Sequence, residues 1–362
     1  MAGKLSAYRG CLLGMAVGDA FGDIVTEMTM EEILENYGPY GIMGYDPNSH
    51  GPEITAFTQV AAYTLNGILV GVERGKLRGD FLPEITMALR EWIRLKSFPG
   101  DRDRCKCWVG HLECMRRKKN MENGAMFYLG QGMTPGSLSA RRNESNNPGL
   151  LTAAVTVGLA QQAGCICKEE VATLGASIVA LVYGHPLAHL SGAYLAVLVD
   201  RIMENPELPL EDHILQTLQQ LEQGEYPFSH KLPQFRQELE AMLQQVKMPQ
   251  MEHSAYMEKL ECFESHRVLL GALYACVTGF EDMDRALVTA VNHSGKSALV
   301  AALAGAILGA KLGEEALPEF YMEGLDAEPP LRELTGDLDE CAKLDRRLFN
   351  FDWDRKYNSG RP

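Results

Sequence analysis

The run Val300-Ala-Ala-Leu-Ala-Gly-Ala-Ile-Leu-Gly-Ala310 is apolar on nearly every face of a helix. A helix with no polar side has no surface to give to water, so other elements must enclose it, and its Ala and Gly positions let them come close. The helical period elsewhere supplies those elements. Phe57, Val60, Ala61, Thr64, Leu65, Ile68, Leu69 and Val72 recur at spacings of three and four, as one buried helix face requires. The same spacing predicts helices over 81–95, 150–163, 169–183, 188–203, 211–222, 233–246, 254–279 and 298–312. Alternating runs bounded by tight hairpin turns are not needed to account for the chain, so the expected fold class is all-α.

Thr29 ahead of Met30-Glu31-Glu32 reads as an N-cap with acids in the first turn, opening a short helix that Gly38-Pro39 ends. Residues 40–52 and 130–149 hold the turn formers of two long loops, and loops of that length in a compact domain often shape a site. Residues 205–253 are rich in Gln, Glu and Pro and carry a single stripe such as Leu215, Leu218 and Leu221, which reads as outer helices rather than a second domain. One helical domain is therefore expected over 1–345, with a tail at 346–362. The tail mixes Trp353 and Tyr357 with basic residues, yet Asp352 and Asp354 are interleaved, which argues for a docked or disordered terminus over nucleic-acid stacking.

With 362 residues and 46% hydrophobic content, the chain can build its core without disulfides or a structural metal. Lys and Arg number 34 against 48 Asp and Glu, and the formal charge of -14 repels phosphate backbones and anionic lipid, so neither nucleic acid nor membrane is expected as a partner. The start Met1-Ala-Gly-Lys-Leu5 has no apolar signal region, and no long uncharged apolar run follows, so a cytoplasmic location is expected. The nine cysteines are scattered and odd in number, which reads as reduced core residues. Cys105, Cys107, His111 and Cys114 could supply four zinc ligands, but their spacing is not a usual zinc framework, and incidental cysteines on an amphipathic helix account for them as well.

Four stretches in order carry a resemblance. Arg9-Gly-Cys-Leu-Leu-Gly-Met-Ala-Val-Gly-Asp-Ala-Phe-Gly22 looks like an opening G-x-L-x-G-x-A-x-G-D-A-x-G helix. Thr55-Ala-Phe-Thr-Gln59 stands where T-D-D-T-Q is expected, Tyr183-Gly-His-Pro-Leu-Ala188 where T-H-x-H-P-x-A is, and Val291-Asn-His-Ser-Gly-Lys-Ser-Ala298 where V-N-H-G-G-D-S-D is. Together they resemble the ADP-ribosylglycohydrolase family over about residues 5–325, which implies a multi-helix bundle with a central cleft. In that family the resemblance implies two Mg2+ ions between the T-D-D and D-S-D loops and the Asp of G-D-A. The ions hold the ribose of ADP-ribose and a water that cleaves the glycosidic bond to a modified side chain.

Mapped on those motifs, the four metal-binding aspartates fall on Ala56, Phe57, Lys296 and Ala298, so a local charge of four negatives becomes one positive. Mg2+ is small and hard and takes octahedral oxygen ligands at about 2.0–2.1 Å. Alanine and phenylalanine have no donor atom, and an ammonium repels a dication at the same point. No metal is therefore expected here. Asp19 remains, with Glu27 and Glu53 as further acids, although the family's second acid falls on Thr26. Residues that would contact a ligand are Thr55, Thr58, Ser294, Gly295, Lys296 and Ser297. Asn147 and Gly149 join them from a phosphate loop in which Pro148 removes an N–H and Thr152 a cation. Lys296 is also the expected charge partner of Asp19. His185 reads as a cap between helices, and His293 as a loop anchor.

Three readings stay open at this level. The chain is an inactive family member whose cleft binds ADP-ribose or a related nucleotide, or presents a surface to a protein partner. Alternatively, it hydrolyses an ADP-ribosyl bond through Asp19, Glu27 or Glu53 without a metal pair. In the third reading it is a regulatory or structural interaction protein whose cleft is filled, with Phe57 as the plug.

Overall fold

Every fourth residue along most of the first helix, α1 (Lys4–Asp23), is a glycine: Gly10, Gly14, Gly18 and Gly22 lie on one stripe. In the computed structural model, which describes residues 3–45, 52–75, 79–98, 105–117, 125–247, 253–343 and 351–360, that stripe receives the helix Ser297–Leu312. The two backbones touch. A Cβ on Gly14 would lie 2.3 Å from the Gly305 carbonyl oxygen, one on Gly309 1.9 Å from that of Gly10, and one on Gly18 2.0 Å from that of Ala301. Only glycine permits such an approach, and the many close contacts hold the pair through dispersion without loss of side-chain entropy.

The described residues form seventeen α-helices and no strand. After α1 come α2 (Met30–Tyr37), α3 (Ala56–Glu73), α4 (Leu82–Ser97), α5 (Ala125–Gly130) and α6 (Leu151–Gln162). Next are α7 (Val171–Ala180), α8 (Pro186–Glu204), α9 (Leu210–Glu222), α10 (Leu232–Gln245), α11 (His253–Leu260) and α12 (Ser265–Thr278). The chain closes with α13 (Met283–Val291), α14 (Ser297–Leu312), α15 (Glu319–Met322), α16 (Glu328–Lys343) and α17 (Phe351–Tyr357). The all-α expectation holds. Helix α14 is buried from Ser297 to Lys311, as its lack of a polar face requires. Around the α1–α14 pair, α3 packs on α4 and α6, α8 on α6 and α7, and α12 on α13 and α14.

Local chemistry sets several boundaries. Thr29 caps α2 as expected: its hydroxyl accepts from the Glu32 N–H at 3.3 Å while its own N–H donates to the Glu32 carboxylate at 2.7 Å, a complete capping box. The stretch 254–279 is not one helix. It breaks into α11 and α12 at Glu261, whose φ is 48°, a left-handed value with no glycine to announce it. The stretch 169–183 begins as a 3-10 turn at Lys168–Glu170, and α7 ends at Ala180. On α9 the buried stripe runs through Ile214, Leu218 and Leu221, while Leu215 is 36% exposed.

Helices α9 and α10 each bury one face, α9 against α8 and α10 against α12. Residues 46–51 of the first long loop and 344–350 and 361–362 at the tail lie outside the described residues. The described part of the tail is docked: Trp353 donates from Nε1 to Glu73 at 2.6 Å, and Tyr357 from its hydroxyl to Asp337 at 2.6 Å. Both rings are buried, which removes them from nucleic-acid stacking. Among the described residues no helix is long and apolar enough to cross a membrane.

Candidate functional site

The contact between α1 and α14 brings three of the sequence motifs together. Gly22 meets the backbone of Ser297 and Ala298, so the end of α1 lies against the start of α14. Asp19, one turn earlier on α1, reaches the start of α3. Its Oδ1 accepts from the Thr55 hydroxyl at 2.6 Å, and its Oδ2 accepts from the Thr55 N–H at 2.9 Å, the Thr58 N–H at 3.0 Å and the Thr58 hydroxyl at 2.6 Å. A carboxylate offers about two acceptor positions on each oxygen; Oδ2 takes three donors and is saturated, while Oδ1 takes one. The group thus caps α3 from another helix, with its charge at the positive end of the helix dipole. Burial raises the Asp19 pKa to about 6 against the opposing pull of these hydrogen bonds. The expected partner was Lys296; the hydrogen bonds come from Thr55 and Thr58.

The loop 292–298 is held just as fully. Asn292 spans to the first loop, its Oδ1 accepting from the Ile42 N–H at 2.9 Å and its Nδ2 donating to the Ile42 carbonyl at 3.0 Å. The amides of Ser294, Gly295 and Lys296 donate to Glu258 at 2.8 Å, His293 Nδ1 at 2.9 Å and the Cys262 carbonyl at 2.9 Å. Ser294 Oγ accepts from the Met30 N–H at 2.8 Å, and Ser297 Oγ donates to the His293 carbonyl at 3.0 Å. Thr26 Oγ1 accepts from the Ala298 N–H at 3.4 Å, so the residue at the family's acid position caps α14. His293 Nε2–H donates to the Ala290 carbonyl at 3.0 Å, and with Nδ1 accepting, the ring is neutral. Burial pushes its pKa down to about 4. His293 is the loop anchor the sequence suggested.

The remaining candidates disperse. Glu27 is exposed just beyond α1. Glu53 accepts an ion pair from Arg117 Nη1 at 2.6 Å, and Arg117 also pairs with Asp326. Asn147 Oδ1 accepts from the Gly149 N–H at 2.8 Å, and Thr152 donates to the Phe57 carbonyl at 2.6 Å, which ties this loop to the start of α3. Ala56, Phe57 and Ala298 are buried at 3%, 4% and 0% exposure. His185 caps α8, its Nδ1 accepting from the Leu187 N–H at 3.2 Å, and burial lowers its pKa. Cys105 donates its S–H to the Cys107 carbonyl at 3.1 Å, and His111 Nε2–H donates to the Gly360 carbonyl at 2.9 Å.

A magnesium pair does not fit these residues. Asp19 is already committed to four donors of the α3 start, three of the four family ligand positions carry no donor atom, and the fourth is an ammonium. Among the described residues no three His, Cys, Asp or Glu side chains are gathered as metal ligands, Cys105, Cys107, His111 and Cys114 included.

Several contributors gave no local signal. Tyr45 lies near enough to Asp19 for the carboxylate to add to the upward shift of its hydroxyl, which burial dominates. With Phe21 and Tyr321 it forms an aromatic cluster at centroid distances of 5.2–5.9 Å. Gln59, the last residue of the second motif, accepts at Oε1 from Trp92 Nε1 at 3.1 Å and from the buried Lys96, and donates to the Cys114 carbonyl at 2.7 Å. Those partners lie far along the chain, where no short pattern reaches.

No curated protein matches the sequence. Among solved structures, a chain titled ADP-ribosylglycohydrolase-related protein complex is similar over 94% of this chain and 99% of its own, at 19% identity and a TM-score of 0.59, which shows a shared fold. The family model described as ADP-ribosylglycohydrolase matches residues 2–348, nearly the whole chain. The chain belongs to the ADP-ribosylglycohydrolase family.

Proposed function

We propose that this protein is a catalytically silent member of its family, in which groups that serve a metal centre elsewhere hold helices together. The observation that carries the reading is the Asp19 carboxylate, which accepts hydrogen bonds from two hydroxyls and two amides of the α3 start. The metal-free hydrolase is the weaker alternative, because Asp19 is enclosed, Glu53 is paired with Arg117 and Glu27 lies in the open. ADP-ribose or a related nucleotide that enters the cleft is bound without being cut. The filled-cleft reading draws support from buried Phe57 and from the loop amides already bonded to Glu258, His293 and Cys262. We further read residues 1–345 as one domain with 205–253 as outer helices, 346–362 as its tail, and the cytoplasm as its location.

The purified protein should release no ADP-ribose from ADP-ribosyl-arginine or ADP-ribosyl-serine peptides, with or without magnesium. Calorimetric titration with ADP-ribose separates the two silent forms: magnesium-independent heat marks a binder, and no heat marks the filled scaffold. Release of ADP-ribose that depends on magnesium would overturn the proposal.

A further inference from the structure

Residues 132–145 of the second long loop make no hydrogen bond to Asp19, yet they wall a cavity of about 820 Å3 with α5 and the turn after α7. That volume suits a small organic ligand. The floor is apolar, formed by Leu129, Pro135, Leu181 and Val182, and Tyr128 and Met133 stand at the lip with 58% and 56% exposure. An apolar floor with a few polar groups at its edge is the usual make-up of a small-molecule pocket.

The frame is rigid. Arg90 donates to the Leu129 carbonyl at 3.3 Å and to that of Met133 at 2.9 Å. Asn143 donates to the Val182 carbonyl at 2.8 Å and accepts at Oδ1 from the amides of Ser145 and Gly184, each at 2.9 Å. The Gly136 N–H donates to the Leu181 carbonyl at 3.0 Å. A loop tied at so many points is pre-organised and loses little entropy when a ligand arrives.

Among the described lining residues, the cation is Arg142. Arg142 lines the cavity, is exposed, and among the described residues makes a single long hydrogen bond, from Nε to the Pro135 carbonyl at 3.5 Å. Its two terminal nitrogens carry donors in a planar fork that matches a carboxylate or a phosphate. On a chain of formal charge -14, such a group is a local attraction for an anion that the rest of the surface repels.

We propose that this cavity binds a small amphiphilic anion, an apolar ring or chain seated over Leu181 and Val182 with its carboxylate or phosphate on Arg142. The proposal is independent of the Asp19 cap, because none of its lining residues belongs to the three motifs that meet there.

The probes are 1-naphthoate, decanoate, AMP and inorganic phosphate, titrated calorimetrically into the full chain. At least one of the three organic anions should bind one per chain and more tightly than phosphate. A preference for naphthoate or decanoate assigns a carboxylate ligand, and one for AMP a phosphate ligand. Arg142→Gln should weaken the bound probe about tenfold, the size expected for a charge-assisted contact at a partly exposed site. Met133→Asp should weaken it as much, and Lys168→Gln, at a surface ion pair elsewhere, should leave it unchanged. Arg142 and Met133 are exposed, so these variants keep the fold. No saturable binding of any organic probe, equal affinity for phosphate alone, or unchanged affinity in Arg142→Gln would overturn the proposal.

Discussion

Replacing Asp19 by Ala removes the acceptor for four buried donors at once. The hydroxyls of Thr55 and Thr58 can rotate towards other acceptors. Their backbone N–H groups cannot rotate in this way, Thr58 being held in the first turn of α3 and Thr55 in its N-cap. Each buried donor left without a partner costs about 1–3 kcal/mol, so Asp19→Ala should destabilise the protein by about 2–6 kcal/mol. The pH dependence sharpens the test. Burial raises the Asp19 pKa from 3.8 to about 6, so in this window the folded state holds the proton more tightly than the unfolded state does. Stability from this group is therefore full below about pH 4 and falls as pH rises to about 6, by about 3 kcal/mol for a shift of about two units. The difference between wild type and Asp19→Ala should shrink from about pH 4 to about pH 7. Urea denaturation across that range measures it. A variant as stable as wild type at every pH, or a difference that grows with pH, would refute the reasoning.

Two further outcomes follow from the packing and the buried histidines. Gly14→Ala sets a methyl 2.3 Å from the Gly305 carbonyl oxygen, where backbone rather than a flexible side chain must yield. It should lower stability by about 3 kcal/mol, at the upper end for overpacking, and a melting temperature within a degree or so of wild type would contradict the close helix contact. His293 and His266 are both held neutral by burial, with pKa values lowered from 6.5 to about 4, so the unfolded state takes up protons first as pH falls. The stability they confer is full above about pH 6.5 and is lost towards about pH 4, by about 3 kcal/mol each. His293→Gln should flatten that acid-side slope in denaturant titrations, whereas an unchanged slope would show that the ring is charged in the fold.

Much of this architecture was legible because burial leaves a pattern. Helix α14 announced itself by having no polar face, α2 by Thr29 and its acids, and the opening motif by its glycines. The break between α11 and α12 was not legible. Glu261 takes a left-handed backbone just before the Cys262 carbonyl that accepts from the Lys296 amide, and neither a glycine nor a proline marks the spot. The candidate site divides in the same way. The sequence shows which positions lack acids, since that is a matter of residue type. It does not show that Asp19 meets Thr55 and Thr58, 36 and 39 residues away, or that Arg117 claims Glu53 and Glu258 claims the Ser294 amide. Those pairings join elements far apart in sequence and are set by how the helices and loops come together.

Asp19 caps α3, and the residues around it do not fit a pair of divalent ions. Calorimetric titration of the wild-type protein with magnesium chloride tests it directly. No saturable uptake of ions is expected at the start of α3, and Asp19→Ala should give the same trace. Saturation at two ions per chain, weakened by that substitution, would contradict it.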